Sequence, residues 1–163
     1  MNSSLFGYAH HSGAQPKIRC SSFIAVDAPE GLSVVADPDR LLQVVSNLTG
    51  NALRHGGDGV TVTLSARRDR TGAVVIEVAD TGPGIPAADL AHVFDRFYRG
   101  SAARRGGPGG AGLGLAIVAS LVEAMGGTVG ARSTVGEGTT FSIHLPADGE
   151  RRGGFVASGT PAG

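Results

Sequence analysis

Asn47 and Asn51 stand four residues apart in the run LLQVVSNLTGNALRH, so on a helix both amides project from one face. An unpaired amide near a core costs about 1–3 kcal/mol, and two of them need partners. Two readings stand: hydrogen bonds that join elements, or oxygen ligands for a hard cation that keeps waters and touches phosphate. A second cluster, Asp80-Thr81-Gly82-Pro83-Gly84-Ile85-Pro86, follows a strand-like run. There a carboxylate acceptor can face a pocket while two glycines allow a tight turn against a flat ligand; an ordinary Asp-Gly turn is the plain alternative. A third, Gly110-Ala111-Gly112-Leu113-Gly114-Leu115, opens a helix, where N–H donors and the positive dipole end suit an anion. It is neither a dinucleotide fingerprint nor a P-loop, because no strand directly precedes it and no Gly-Lys-Ser/Thr follows. Arg96, Arg99, Arg104 and Arg105 come just before it, where a guanidinium can swing onto phosphate oxygens or simply face solvent.

These groups need elements to hold them. Asp37-Pro38 reads as N-cap and first helical residue, and Leu41, Val44, Val45, Leu48 and Ala52 form the apolar stripe of a helix that Gly56-Gly57 ends. Strands are predicted at Lys17 to Asp27, Ser33 to Ala36, Val60 to Ala66 and Ala73 to Ala79, with a charged turn from Arg67 to Gly72. A short helix runs from Pro86 to about Phe94, and a long one from about Gly112 to Met125. A final hairpin pairs Thr128 to Ser133 with Thr139 to Leu145 around Gly136-Glu137-Gly138. The order predicts an α/β two-layer sandwich: a mixed sheet of about five strands with about three helices on one face. Residues 1–15 read as a flexible extension, 16–146 as the folded domain, Arg99 to Gly110 as mobile, and 147–163 as a disordered tail.

Composition narrows the function. At 163 residues the chain fits one domain, and equal numbers of acidic and basic residues give no polyanion-binding surface, so no nucleic-acid partner is expected. The single Cys20 excludes an internal disulfide and a Cys-rich zinc site, and reads as core filling. No apolar run nears the roughly 20 residues of a membrane span, so no membrane contact by this stretch is expected. Glycine is the outlier: 27 residues, clustered at 82–84, 106–114, 126–130 and 136–138, which suggests loops shaped around a ligand.

In order, NLTGNALRH, DTGPGIP, FDRFYRG, GAGLGLAIV and GEGTTF resemble the N box, first glycine box, phenylalanine box, second glycine box and third glycine box of the catalytic ATP-binding domain of bacterial sensor histidine kinases, within the Bergerat-fold ATPases. The resemblance covers about residues 30–146. It implies ATP and Mg2+ bound between the long helices, under a lid of about residues 83–111. By position, it makes Asn51 the Mg2+ ligand, Asp80 the acceptor for the adenine amino group, and Thr139 a neighbour of the adenine-side water network. Gly82, Gly84 and Ile85 would flank the base, and Gly112, Leu113, Gly114 and Leu115 would meet the phosphates. Arg54 stands where the family often has Lys, facing phosphate, and His55 where Tyr is common. Asn47, Arg54 and Arg99 are the side chains expected to serve transfer. Phe94 and Phe97 match aromatics anchoring the lid, though on their own they read as core.

Asn47 stands where related ATP-hydrolysing proteins commonly carry a Glu that acts as general base toward water. An amide there fits transfer of the γ-phosphoryl group to a side chain held by another domain, which needs positioning and charge neutralisation. No Ser/Asn-His-Glu-Leu-Arg/Lys-like string occurs, and His10, His11 and His92 fit no acceptor pattern, so the acceptor histidine is expected on a separate dimerisation domain. The resemblance thus implies a cytoplasmic, monomeric catalytic domain of a membrane-anchored sensor, with that domain and a downstream response regulator as partners. A serine kinase of the anti-sigma type and a non-catalytic nucleotide-binding module are the alternatives.

Overall fold

The computed structural model describes residues 6–7, 22–100 and 112–146. Its elements are β1 (Phe6–Gly7), β2 (Phe23–Asp27), α1 (Pro38–His55), β3 (Thr61–Arg68), β4 (Val74–Asp80), α2 (Ala87–Leu90), α3 (Gly114–Ala124), β5 (Thr128–Thr134) and β6 (Gly138–Leu145). One mixed sheet runs β1-β2-β3-β4-β6-β5; β2 and β3 are parallel and all other neighbours antiparallel. Five strands carry the sheet, as expected. The two-residue β1 adds an edge pairing, Phe6 with Ile24 and Gly7 with Phe23, inside the stretch predicted to be a flexible extension.

Alternation along the central strands fixes the layering. Val74, Ile76 and Val78 of β4 and Phe141, Ile143 and Leu145 of β6 bury one face of the sheet, and Val44, Leu48 and Ala52 of α1 with Val118 and Val122 of α3 cover it. On the opposite face Glu77 accepts from Arg132 and from Ser142, each at 3.1 Å. Helix α1 starts as its sequence dictates: Asp37 Oδ1 accepts from the amides of Asp39 and Arg40 at 3.0 and 3.1 Å, and Pro38 opens the first turn.

Three expectations change. Ser33–Ala36 is irregular rather than a strand. Leu32, Val34 and Ala36 pack on the core, so their alternation records a loop lying along it, with Arg68 donating to the Ser33 carbonyl at 3.0 Å. The helix predicted from Pro86 to Phe94 is regular only over Ala87–Leu90 and continues as single turns closed by His92 N–H to Asp89 O and Asp95 N–H to His92 O. Phe94 does anchor its segment, edge-to-face on Phe141 with centroids 6.1 Å apart, but Phe97 is 71% exposed at φ 63°. Cys20, His10, His11, Arg104, Arg105 and the tail 147–163 lie outside the described residues, as does 101–111 of the expected lid. No helix among the described residues is long and apolar enough to cross a membrane.

Candidate functional site

The site lies where α1, the end of β4, the turn after it and the start of α3 converge. A cleft of about 340 Å³ is lined on one side by Asn47, Asn51, Arg54 and His55 of α1. Gly84 and Ile85 after β4, Arg99, and Gly112 to Leu115 at the head of α3 are the other expected residues that line it. The spacing of α1 explains the first group: Val44, Leu48 and Ala52 face the sheet, and Asn47, Asn51 and Arg54 follow the adjacent face. At α3 the Ile117 N–H reaches back to Leu113 O at 2.9 Å, and by helix geometry the amides before it point out of the N-terminal end, where Gly112 to Leu115 line the cleft.

A smaller cavity of about 50 Å³ adjoins it, sharing Asn51, His55, Pro83, Gly84 and Ile85 and adding Asp80 and Thr139. Asp80, the last residue of β4, pairs across the sheet with Thr139. Its Oδ1 accepts from the Gly82 amide at 2.9 Å, closing an Asx turn. Burial pushes the Asp80 carboxyl above its ordinary value of 3.8, and backbone N–H donors from Gly82 and Thr139 pull against that. A half-buried carboxylate that lines a cavity can accept from a donor placed there. His55, between the two spaces, is held below its ordinary 6.5 by burial and then by the neighbouring Arg54, which leaves a neutral ring at neutral pH.

Backbone interlock explains the glycine pattern. Gly84 has φ 72°, and a Cβ there would run into the Thr134 carbonyl. Gly138 has φ 122°, and its Cβ would run into the Asp80 carbonyl. The turn is also pinned to the β5–β6 hairpin by Gly136 N–H on Pro83 O and Ile85 N–H on Ser133 Oγ, both 2.8 Å. Gly82 is buried and lines neither space; a Cβ on it would meet Gly56 Cα at 2.8 Å, so it serves close packing of the turn on the end of α1.

The other residues assigned to nucleotide, metal or transfer line one space or both, whereas Arg96 lines neither. Sequence reading missed His55 as a wall residue, and Asp89, Tyr98 and Ser133 altogether. Asp89 lines the larger cleft at 7% exposure, its Oδ1 accepting from the Tyr98 hydroxyl at 2.7 Å. No local periodicity marks that pair, and Ser133 reveals itself only through Ile85, 48 residues away. Among the described residues no group of three or more His, Cys, Asp or Glu could hold a metal alone. The neutral amide oxygens of Asn47 and Asn51 instead suit a hard cation that arrives with phosphate oxygens of its own.

Residues 36–149 match the family model described as histidine kinase-, DNA gyrase B-, and HSP90-like ATPase. The signal transduction histidine-protein kinase AfsQ2 of Streptomyces coelicolor is 44% identical over 125 residues, 77% of this chain and 23% of that protein. The probable sensor histidine kinase TcrY of Mycobacterium tuberculosis is 46% identical over 121 residues, 74% and 25% of the two chains. The chain therefore spans about a quarter of the length of these curated relatives. Among solved structures, the mycobacterial sensor histidine kinase MprB superposes with TM-score 0.69 at 31% identity, covering 77% of this chain and 83% of that one. Full-length ShkA in complex with AMPPNP superposes with TM-score 0.67 at 37% identity, covering 77% and 25%. The chain belongs to the histidine kinase-, DNA gyrase B- and HSP90-like ATPase family, beside relatives that are sensor histidine kinases.

Proposed function

We propose that this domain binds Mg-ATP and donates the γ-phosphoryl group to a histidine on a separate dimerisation domain of a sensor kinase, for relay to a response regulator. Such a domain would work on the cytoplasmic side of a membrane-anchored sensor. The observation that carries this reading is the joined pair of spaces: an acceptor carboxylate, Asp80, ends one, and paired amides with a helix start line the other. That polarity suits a ligand with a donor-bearing planar end and an anionic end. Asp80 takes the exocyclic amine of the base, with Gly84, Ile85 and Thr139 around the ring. Gly112 to Leu115 meet the phosphates through backbone amides, and Arg54 and Arg99 add charge. Asn51, with Asn47 four residues before it, holds Mg2+, which supplies neutralisation of phosphate charge. Transfer rather than hydrolysis is supported by the amide at Asn47, since Asp89, the carboxylate in the larger cleft, is engaged by Tyr98.

Calorimetric titration with ADP and a non-hydrolysable ATP analogue, with and without Mg2+, tests the binding half. Tight, Mg2+-dependent binding is expected; absence of binding overturns the reading. Mixing the domain and ATP with a matching dimerisation domain tests the rest. Acid-labile phosphohistidine is expected, whereas phosphoserine or no transfer reassigns the domain to a serine kinase or a binding module.

A further inference from the structure

The hydroxyl of Ser133, behind the cavity wall, has three neighbours. The Ile85 amide lies at 2.8 Å, the Gly138 carbonyl at 2.8 Å and the Thr139 hydroxyl at 3.0 Å. A hydroxyl carries one proton and two acceptor sites. The amide can only donate and the carbonyl can only accept, so Ser133 takes the Ile85 proton and gives its own to Gly138. What remains on Ser133 is a lone pair, and Thr139 is therefore the donor between the two hydroxyls. Thr139 is 5% exposed, and its single proton points into the wall. Toward the cavity that Thr139 lines with Asp80, its oxygen offers acceptor sites alone. The Asp80 carboxylate beside it is an acceptor too.

We propose that Ser133 is a positioning residue for base selection: by holding the Thr139 proton, it makes the end of the cavity acceptor-only, which admits a 6-amino purine and rejects a 6-oxo purine. The inference rests on the nucleotide-binding reading above and deepens it. An amine hydrogen-bonds to such a wall, while a carbonyl oxygen leaves buried acceptors facing one another. Without Ser133 the Thr139 hydroxyl turns and donates to the carbonyl. Selectivity then falls even where overall affinity survives.

The test is competition binding of ADP and IDP, whose bases exchange the 6-amine for a 6-carbonyl and, with it, an N1 acceptor for an N1–H donor, to the full chain. The wild type is expected to prefer ADP. Ser133→Ala should lower the ADP:IDP affinity ratio about two- to tenfold, the range of one neutral hydrogen bond. Ser133→Cys keeps the volume and should lower the ratio in the same direction, which covers a poorly folding alanine variant. Ser133→Thr restores the hydroxyl and should restore the ratio. In a Thr139→Val background the Ser133 change should have no further effect on the ratio. A general loss of stability weakens both ligands alike and leaves the ratio intact. Wild type binding ADP with a ratio unmoved in both Ser133 variants overturns the inference alone; wild type binding neither nucleotide overturns the nucleotide reading with it.

Discussion

The two ends of the site are built by different means. At the Asp80 end the wall is sheet and sheet-bound turn: Asp80 pairs with Thr139, and Gly84 and Gly138 let backbone touch backbone across the interlock. Two hydrogen bonds then fix the turn on the hairpin. At the Asn51 end the wall is helical: side chains along α1, the start of α3 and the segment through Asp89 and Tyr98. Strand pairing sets positions by many shared bonds, so the Asp80 end suits recognition of one flat shape. Helix side chains and a helix start set charge and donor direction, which suits an anion that must be held and then released.

Glycine substitution breaks the comparison most directly. Gly138→Ala combines a left-handed φ with a Cβ against the Asp80 carbonyl, and should cost about 3 kcal/mol of stability, the upper end for a strained residue. Gly114 has open space around its Cβ, so Gly114→Ala should leave stability within about 1 kcal/mol of wild type. Urea unfolding of both variants measures this, and equal losses would deny that the ends differ. Next in size is Asp80→Asn. Loss of a charged acceptor should weaken adenine-nucleotide binding by about 1.5–3 kcal/mol, roughly 10- to 150-fold. The empty domain should gain stability at neutral pH, because the native carboxyl sits above 3.8 and binds protons that the unfolded chain has released. Wild-type stability therefore falls as pH rises from 3.8 through the native Asp80 value, and Asp80→Asn should flatten that fall. Unchanged affinity by calorimetry would remove Asp80 from the base-binding role.

Much of this was legible because the glycines punctuate the chain at fixed offsets from predicted elements. Asp80 ends its strand, Gly84 sits in the turn that follows, Gly138 opens β6 just after a hairpin turn, and the α1 stripe leaves Asn47 and Asn51 on the adjoining face. What stayed hidden depends on through-space partners. Ser133 alternates along β5 like any strand serine, and only the hairpin's closure on Ile85 gives it three partners. Asp89 finds Tyr98 nine residues on, across turns that no period describes. Ser33–Ala36 misled for the opposite reason: a loop that lays every second side chain on the core copies the pattern of a strand. Phe97 carries the residue type of a core but the backbone of an exposed turn, and residue type alone does not report φ.

The helical end has its own tests. Asn51→Ala should reduce the Mg2+ enhancement of ATP-analogue affinity about tenfold, while metal-free binding changes little. Titrations with and without Mg2+ check this, and an intact enhancement would move the metal to other ligands.

The smallest effect concerns His55, which touches both spaces and so reports on their coupling. Burial and then Arg54 lower its value in the native state below 6.5. Its contribution to stability is complete above 6.5 and is lost as pH falls through the native value, because below 6.5 the unfolded chain binds the proton more readily. Phosphate placed in the cleft adds negative charge beside the ring and raises that native value. At about pH 6, nucleotide binding should then take up a fraction of a proton, read from calorimetry in buffers of different ionisation enthalpy. The uptake should vanish in His55→Gln. An undiminished uptake in that variant would place the titrating group elsewhere and leave the two ends electrostatically separate at this residue.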